Sequence, residues 1–222
     1  MSELEKEIKE RITSYAWDVV EGKILACQNI ILACKRFIAF LQRDDMYFDI
    51  EEVEKTIRFF GKFKHFTGQY NRHSFTLQEW QKFMLCGIYG FKWKKDDTRV
   101  TRTFILSVSR KQGKTSCISI MAIKALLEEN NAQVIVAANS ASQASILFKM
   151  ASSYLKSLGG KVDKLFRRFR DRIMFDKTDS VMRVVSADAS RLDGLNCNFA
   201  VVDEISQAPN SDVYDVLESS MG

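Results

Sequence analysis

The sequence has little of what staples, breaks or anchors a chain. Of its 222 residues one is proline, Pro209, and ten are glycine, so no Pro- or Gly-rich linker divides it and low-complexity classes are excluded. Histidine occurs only at His65 and His73, too few and too far from other ligands for a zinc site. Cysteine is present but unpatterned. Cys27, Cys34, Cys86, Cys117 and Cys197 are odd in number, lack CxxC spacing and lie in apolar stretches, as expected of small buried hydrophobes in a reducing compartment. No apolar run approaches the roughly 20 residues that span a bilayer. The start, Met1-Ser2-Glu3-Leu4-Glu5-Lys6, is charged where a signal peptide is greasy, so neither membrane insertion nor secretion is expected. Internal repeats are absent too, which excludes a solenoid.

What is present is a globular composition, 46% hydrophobic with a formal charge of +5. That length and apolar content support one domain, or one domain with an appendage. The mild basic surplus permits an acidic partner without demanding one. Residues 1–75 read as helices: Ile8, Ile12, Tyr15, Ala16 and Val19 repeat at helical spacing, as do Ile31, Cys34, Phe37, Ile38 and Leu41. Asp49 followed by Glu52 starts another, with Val53, Ile57 and Phe60 on one face. Thr76-Leu77-Gln78-Glu79 has capping-box spacing and opens a helix through about Tyr89.

Beyond residue 100 the rhythm changes. Apolar runs at 103–108, 133–138 and 199–203, with shorter ones at 172–175 and 181–186, suit strands. Helical patterns cover 113 to about 129, and the stretch holding Leu147, Met150, Ala151, Tyr154, Leu155 and Leu158. This alternation predicts a mostly parallel sheet flanked by helices, so the expected boundaries are a helical extension over 1–75 packed on an α/β body over 76–222.

Two segments carry chemistry. Ser109-Arg110-Lys111-Gln112-Gly113-Lys114-Thr115 lies between an apolar run and an amphipathic helix, where backbone N–H groups and the positive helix end can cradle phosphates. Lys114 would reach the β- and γ-phosphates and the Thr115 hydroxyl would bind Mg²⁺. Val108 stands where the full pattern has its first glycine, and Gly-Lys-Ser/Thr alone occurs by chance in on the order of one in ten such chains. The second segment lies 89 residues beyond Lys114: Phe199-Ala200-Val201-Val202 runs into Asp203-Glu204. There a first acid holds Mg²⁺ and a second polarises the attacking water. No Asn-Lys-x-Asp guanine signature occurs. Arg110 could stabilise γ-phosphate charge or simply face solvent, and Arg191 could act on a neighbouring subunit or form a surface ion pair. Lys161, Lys164, Arg167, Arg168, Arg170 and Arg172, interleaved with Leu165, Phe166 and Phe169, could contact a DNA backbone or be a solvated helix face. Gln81 could pair with an adenine edge, whereas Trp80 is more typical of core.

Together these residues resemble the large terminase subunit of tailed bacteriophages. The likeness runs from the Gly22–Cys27 leader, through Phe75–Gln81 and Tyr89-Gly90-Phe91, to the loop Arg110–Thr115. It continues through Ala137-Ala138-Asn139-Ser140 with Gln143-Ala144 and Phe148, then Ser186–Asp188 and Arg191–Gly194, into the acidic strand. In that family the first glycine of the loop is dispensable and the arginine is characteristic. The resemblance implies a P-loop NTPase fold of the ASCE type that hydrolyses ATP with Mg²⁺ to package double-stranded DNA into procapsids. It further implies that Arg110, Lys111, Gln112, Gly113, Lys114 and Thr115 bind ATP, that Gln81 recognises adenine, and that Thr115 and Asp203 hold Mg²⁺. Glu204 and Arg110 would then be catalytic, with Arg191 the candidate arginine in trans, although Asp193 stands where related branches carry theirs. Implied partners are DNA, a portal protein, the small terminase subunit and further copies in a docked ring, the chain alone being compatible with a monomer. The implied location is the bacterial host cytoplasm and, transiently, the procapsid. Against the family's pattern, the chain is expected to be a truncated motor domain lacking the nuclease domain. The rival readings are another DNA-dependent, helicase-like ATPase and a nucleotide-binding prophage remnant without turnover.

Overall fold

The computed structural model describes residues 2–65, 73–138, 141–186, 196–208 and 210–221. The chain divides into two compact units, one formed by residues 1–62 and 75–106 and the other by 63–74 and 107–222. Residues 75–106 fall in the same compact unit as the helical N-terminus. A short ladder is one tie: β1 (Met46–Phe48) pairs antiparallel with β2 (Phe91–Trp93), three-residue strands that periodicity does not reveal.

The first unit is mainly helical: α1 (Glu3–Arg11), α2 (Tyr15–Val20), α3 (Gln28–Phe40), α4 (Ile50–Phe60) and α5 (Glu79–Leu85), with a π-helical turn at Cys86–Gly90. Asp49 starts α4 as anticipated, its Oδ1 accepting from Glu52 N at 2.9 Å, and Val53 and Phe60 on that helix are fully buried. The same carboxylate pairs with Lys92 Nζ at 2.8 Å, joining α4 to β2. Phe37 is the centre of the core. The rings of Trp17, Phe48, Phe83 and Phe91 all meet it edge-on, with centroids 5.3–6.0 Å away. Packing is so close that a Cβ at Gly90 would lie 2.2 Å from the Phe48 ring.

The second unit is an α/β layer structure. Its elements are α6 (Lys114–Glu128), β3 (Gln133–Ala138), α7 (Ala141–Ser157), α8 (Gly160–Asp163), β4 (Phe166–Arg168), β5 (Arg172–Phe175), β6 (Ser180–Ser186), β7 (Phe199–Asp203) and α9 (Asp212–Ser219). The strand order is β4-β5-β6-β3-β7. β3 pairs in parallel with β6 and β7, while β4 and β5 form an antiparallel hairpin that continues antiparallel onto β6. As befits a strand flanked on both edges, β3 is buried from Val134 to Ala138. Ile135 and Ala137 pack with Val213 and Leu217 of α9, whereas α6 and α7 also pack on the sheet.

Two expectations are corrected. The apolar run 103–108 forms no strand, and Phe104 and Ile105 are 44% and 83% exposed. An apolar run specifies a wish for burial, but a strand also needs a partner. Among the described strands none lies beside it, and β7 has a neighbour only in β3. The basic run is likewise no helix face: α8 ends at Asp163 and the rest is hairpin, where stacked Phe166 and Phe175 rings (5.0 Å) favour cross-strand pairing. Of the cysteines, Cys34, Cys86, Cys117 and Cys197 are buried, and burial pushes the Cys117 thiol up to about 12. Cys27 is exposed.

Candidate nucleotide-binding site

The loop before α6 is built around two left-handed residues, Lys111 (φ 67°) and Gly113 (φ 79°). Gly113 is the N-cap of α6, and glycine accepts that conformation without a steric cost. Having no side chain, it also leaves the helix start without a side-chain cap. The helical ladder begins with Cys117 N donating to the Gly113 carbonyl at 3.0 Å, so the N–H groups ahead of it stand outside the ladder. With the helix dipole, these donors favour an anion.

β7 delivers the acids to the same place. Its register with β3 sets Asp203 beside Ala138, at the carboxyl end of both parallel strands. Lys114 Nζ then lies 3.0 Å from Asp203 Oδ1, both side chains being largely sheltered. That oxygen also accepts from Glu204 N at 3.0 Å. Glu204 itself adopts φ 56° and ψ 40°, a left-handed conformation that is rare for residues other than glycine, asparagine and aspartate, and it caps the 3₁₀ turn Ile205–Gln207. Two motifs far apart in sequence therefore meet at one point, with an ammonium, the Asp203 carboxylate and an open helix start, and Glu204 follows directly in the chain.

The other expected residues fall in several places. Thr115 opens α6 half-buried, and its carbonyl accepts from Ser119 Oγ at 2.7 Å. Its hydroxyl has no hydrogen bond among the described residues. Arg110, Lys111 and Gln112 are exposed on the loop. Gln81 belongs to the first unit, where it is 4% exposed and its Oε1 accepts from Gln78 N at 2.8 Å, so its carboxamide also helps start α5. The cap of that helix is thus Gln78, not Thr76. Arg191 lies outside the described residues, as do Asn139, Ser140 and Asp193. Sequence reading missed the Lys114–Asp203 pair and the conformation of Glu204. The only signal for either was the order of two motifs on a strand and a helix.

These groups suit a phosphate chain with a divalent cation. An uncapped helix start and Lys114 offer donors to phosphate oxygens, while the Asp203 carboxylate and Thr115 hydroxyl are the hard oxygen ligands that Mg²⁺ takes. Among the described residues no group of three or more His, Cys, Asp or Glu side chains is gathered to hold a metal ion.

A family model for the terminase large subunit ATPase domain matches residues 79–222, spanning both the loop and the acidic strand. This chain belongs to that family. The terminase fold is also found by structural comparison: the chain is similar to the crystal structure of the HK97 bacteriophage large terminase, with a TM-score of 0.64 and 24% identity. That match covers 77% of this chain and 35% of the other, so the chain spans about a third of that terminase's length. No curated protein matches the sequence. As a terminase ATPase-type domain it has the α/β P-loop fold anticipated from its motifs, and no described helix is long and apolar enough to cross a membrane.

Proposed function

We propose that this chain is the ATP-hydrolysing motor domain of a phage large terminase, coupling hydrolysis to the movement of double-stranded DNA into procapsids. The observation that carries the reading is the 3.0 Å contact between Lys114 and Asp203, which joins a phosphate loop to an acidic strand end in a member of the terminase ATPase family.

In this reading the N–H groups at the start of α6 and the Lys114 ammonium bind the β- and γ-phosphates, with Arg110, Lys111 and Gln112 lining the loop. Thr115 and Asp203 hold Mg²⁺, which supplies charge neutralisation on the phosphate oxygens. Glu204 orients water for in-line attack on the γ-phosphorus and accepts its proton, releasing ADP and phosphate. Arg110 stabilises charge on the transferring group, Gln81 reads the adenine edge, and Arg191 serves a neighbouring copy in a ring. Duplex DNA, a portal protein and a small terminase subunit are the partners, in the host cytoplasm and on the procapsid.

The experiment is ATP turnover and nucleotide binding by the purified chain with DNA. Glu204→Gln is expected to keep ATP affinity and lose hydrolysis by about a hundredfold or more, whereas Lys114→Ala weakens binding as well. Equal turnover in Glu204→Gln and the parent sinks the assignment. Nucleotide binding with no hydrolysis in the parent, even with DNA and partner proteins, favours a binding module without turnover.

A further inference from the structure

Residues 161–183 hold eight Lys or Arg against four Asp, a surplus of four in a chain whose total charge is +5. Part of this is neutralised internally. Arg167 pairs with Asp176 at 2.7 Å, and Arg168 pairs with Asp163. Arg172 and Arg183 are different: they stand directly opposite each other on β5 and β6, both exposed, and neither forms an ion pair among the described residues.

Their spacing is the closest a ladder allows. Val184 N donates to Asp171 O at 2.9 Å, so 171 and 184 form the hydrogen-bonded pair and 172 and 183 the adjacent non-hydrogen-bonded one. Side chains at such positions are nearest, and like charges placed there destabilise a sheet. The Arg172 guanidinium lies 4.7 Å from the centroid of the Phe169 ring, which steadies it and occupies that ring face. Both arginines line a depression of about 370 Å³ on the sheet, together with Gln133 and Asn131. Its one carboxylate, Asp179, makes no ion pair with either. α9 packs against β3, β7 and the Val185 end of β6 on the same sheet face, while Arg172 and Arg183, nearer the hairpin, are exposed.

We propose that Arg172 and Arg183 form a phosphate-binding pair that contacts the backbone of duplex DNA. The pair rests on the DNA-motor reading and assigns it a surface. Two adjacent guanidiniums repel until an anion lies between them, and bidentate guanidinium forks match phosphate oxygens. Duplex is favoured over single strand because Arg172 already occupies one face of the nearby Phe169 ring, and no row of stacked-base platforms accompanies the pair among the residues lining the depression. Such a contact is blind to sequence and sensitive to salt.

The test compares the parent chain with Arg172→Gln, Arg183→Gln and the double variant, using fluorescence anisotropy on a short mixed-sequence duplex over roughly 50–200 mM salt. ATP affinity and melting temperature are read in parallel. The slope of log affinity against log salt should become shallower by about 0.9 for each arginine removed. ATP binding should be unchanged, and the DNA-free double variant should melt at or above the parent, because a repulsion has been removed. Parental affinity and slope in the double variant overturn the proposal. So does a parent that binds no duplex, or one that binds single strands more tightly with the same losses. A parent that binds duplex but not ATP instead sinks the ATPase reading and keeps this contact.

Discussion

Lys114 and Asp203 hold each other, Nζ to Oδ1 at 3.0 Å, across 89 residues of intervening chain. In the proposed function each is the partner the other would give up when a phosphate and a cation arrive: the ammonium would turn to phosphate and the carboxylate to Mg²⁺. On that proposal ligand binding would be an exchange of ion pairs.

Asp203→Asn should separate the two halves of that exchange. Lys114 is released, so nucleotide affinity without Mg²⁺ should hold or rise, while the gain in affinity on adding Mg²⁺ should shrink. Titration of a fluorescent ATP analogue with and without Mg²⁺ reads both effects. An undiminished Mg²⁺ gain in the variant would show that Asp203 is not a cation ligand.

Asp49 tests the first unit. Burial opposes its ionisation, but the Lys92 ammonium and the Glu52 N–H outweigh that and hold its carboxyl below the usual range. Asp49→Ala removes a helix cap and an ion pair, and about 1–2 kcal/mol of stability should go with them. Because the folded-state pKa is depressed, the contribution is fully present above the unfolded value of about 3.9 and is lost as pH falls through the folded one. Melting curves of parent and variant should differ at neutral pH and converge in strong acid.

Ile105 tests the segment before the phosphate loop. At 83% exposure, Ile105→Ser should change stability by less than about 0.5 kcal/mol in chemical denaturation. A loss of about 2 kcal/mol or more would mean that this side chain is buried in solution, as a core strand requires.

Much of the second unit was legible because each element announces itself locally. Val134–Ala138 is continuously apolar and flanked on both edges, and Arg172–Phe175 alternates more and less exposed residues as a strand with one solvent-facing side does. The 103–108 run is just as apolar, yet its state depends on a neighbouring strand, a relation between distant segments that composition does not encode. The basic run misled for a related reason. Spacing of charge fits a helix face and a hairpin about equally well, and stacking of Phe166 on Phe175 decides between them. Gln81 shows a third limit, since one carboxamide can both start a helix and recognise a base, and spacing does not choose.

Glu204 leaves its strand through a left-handed turn. A residue with a β-carbon pays about 1–2 kcal/mol there, and the rest of the fold must hold it in place. The direction in which its side chain departs is thus a property of the folded main chain. Preorganisation of this kind lowers the reorganisation that a hydrolytic step would otherwise demand. It also makes aim and acidity separable: a change of side chain at 204 alters the chemistry, whereas relaxation of the backbone there alters where any side chain can point.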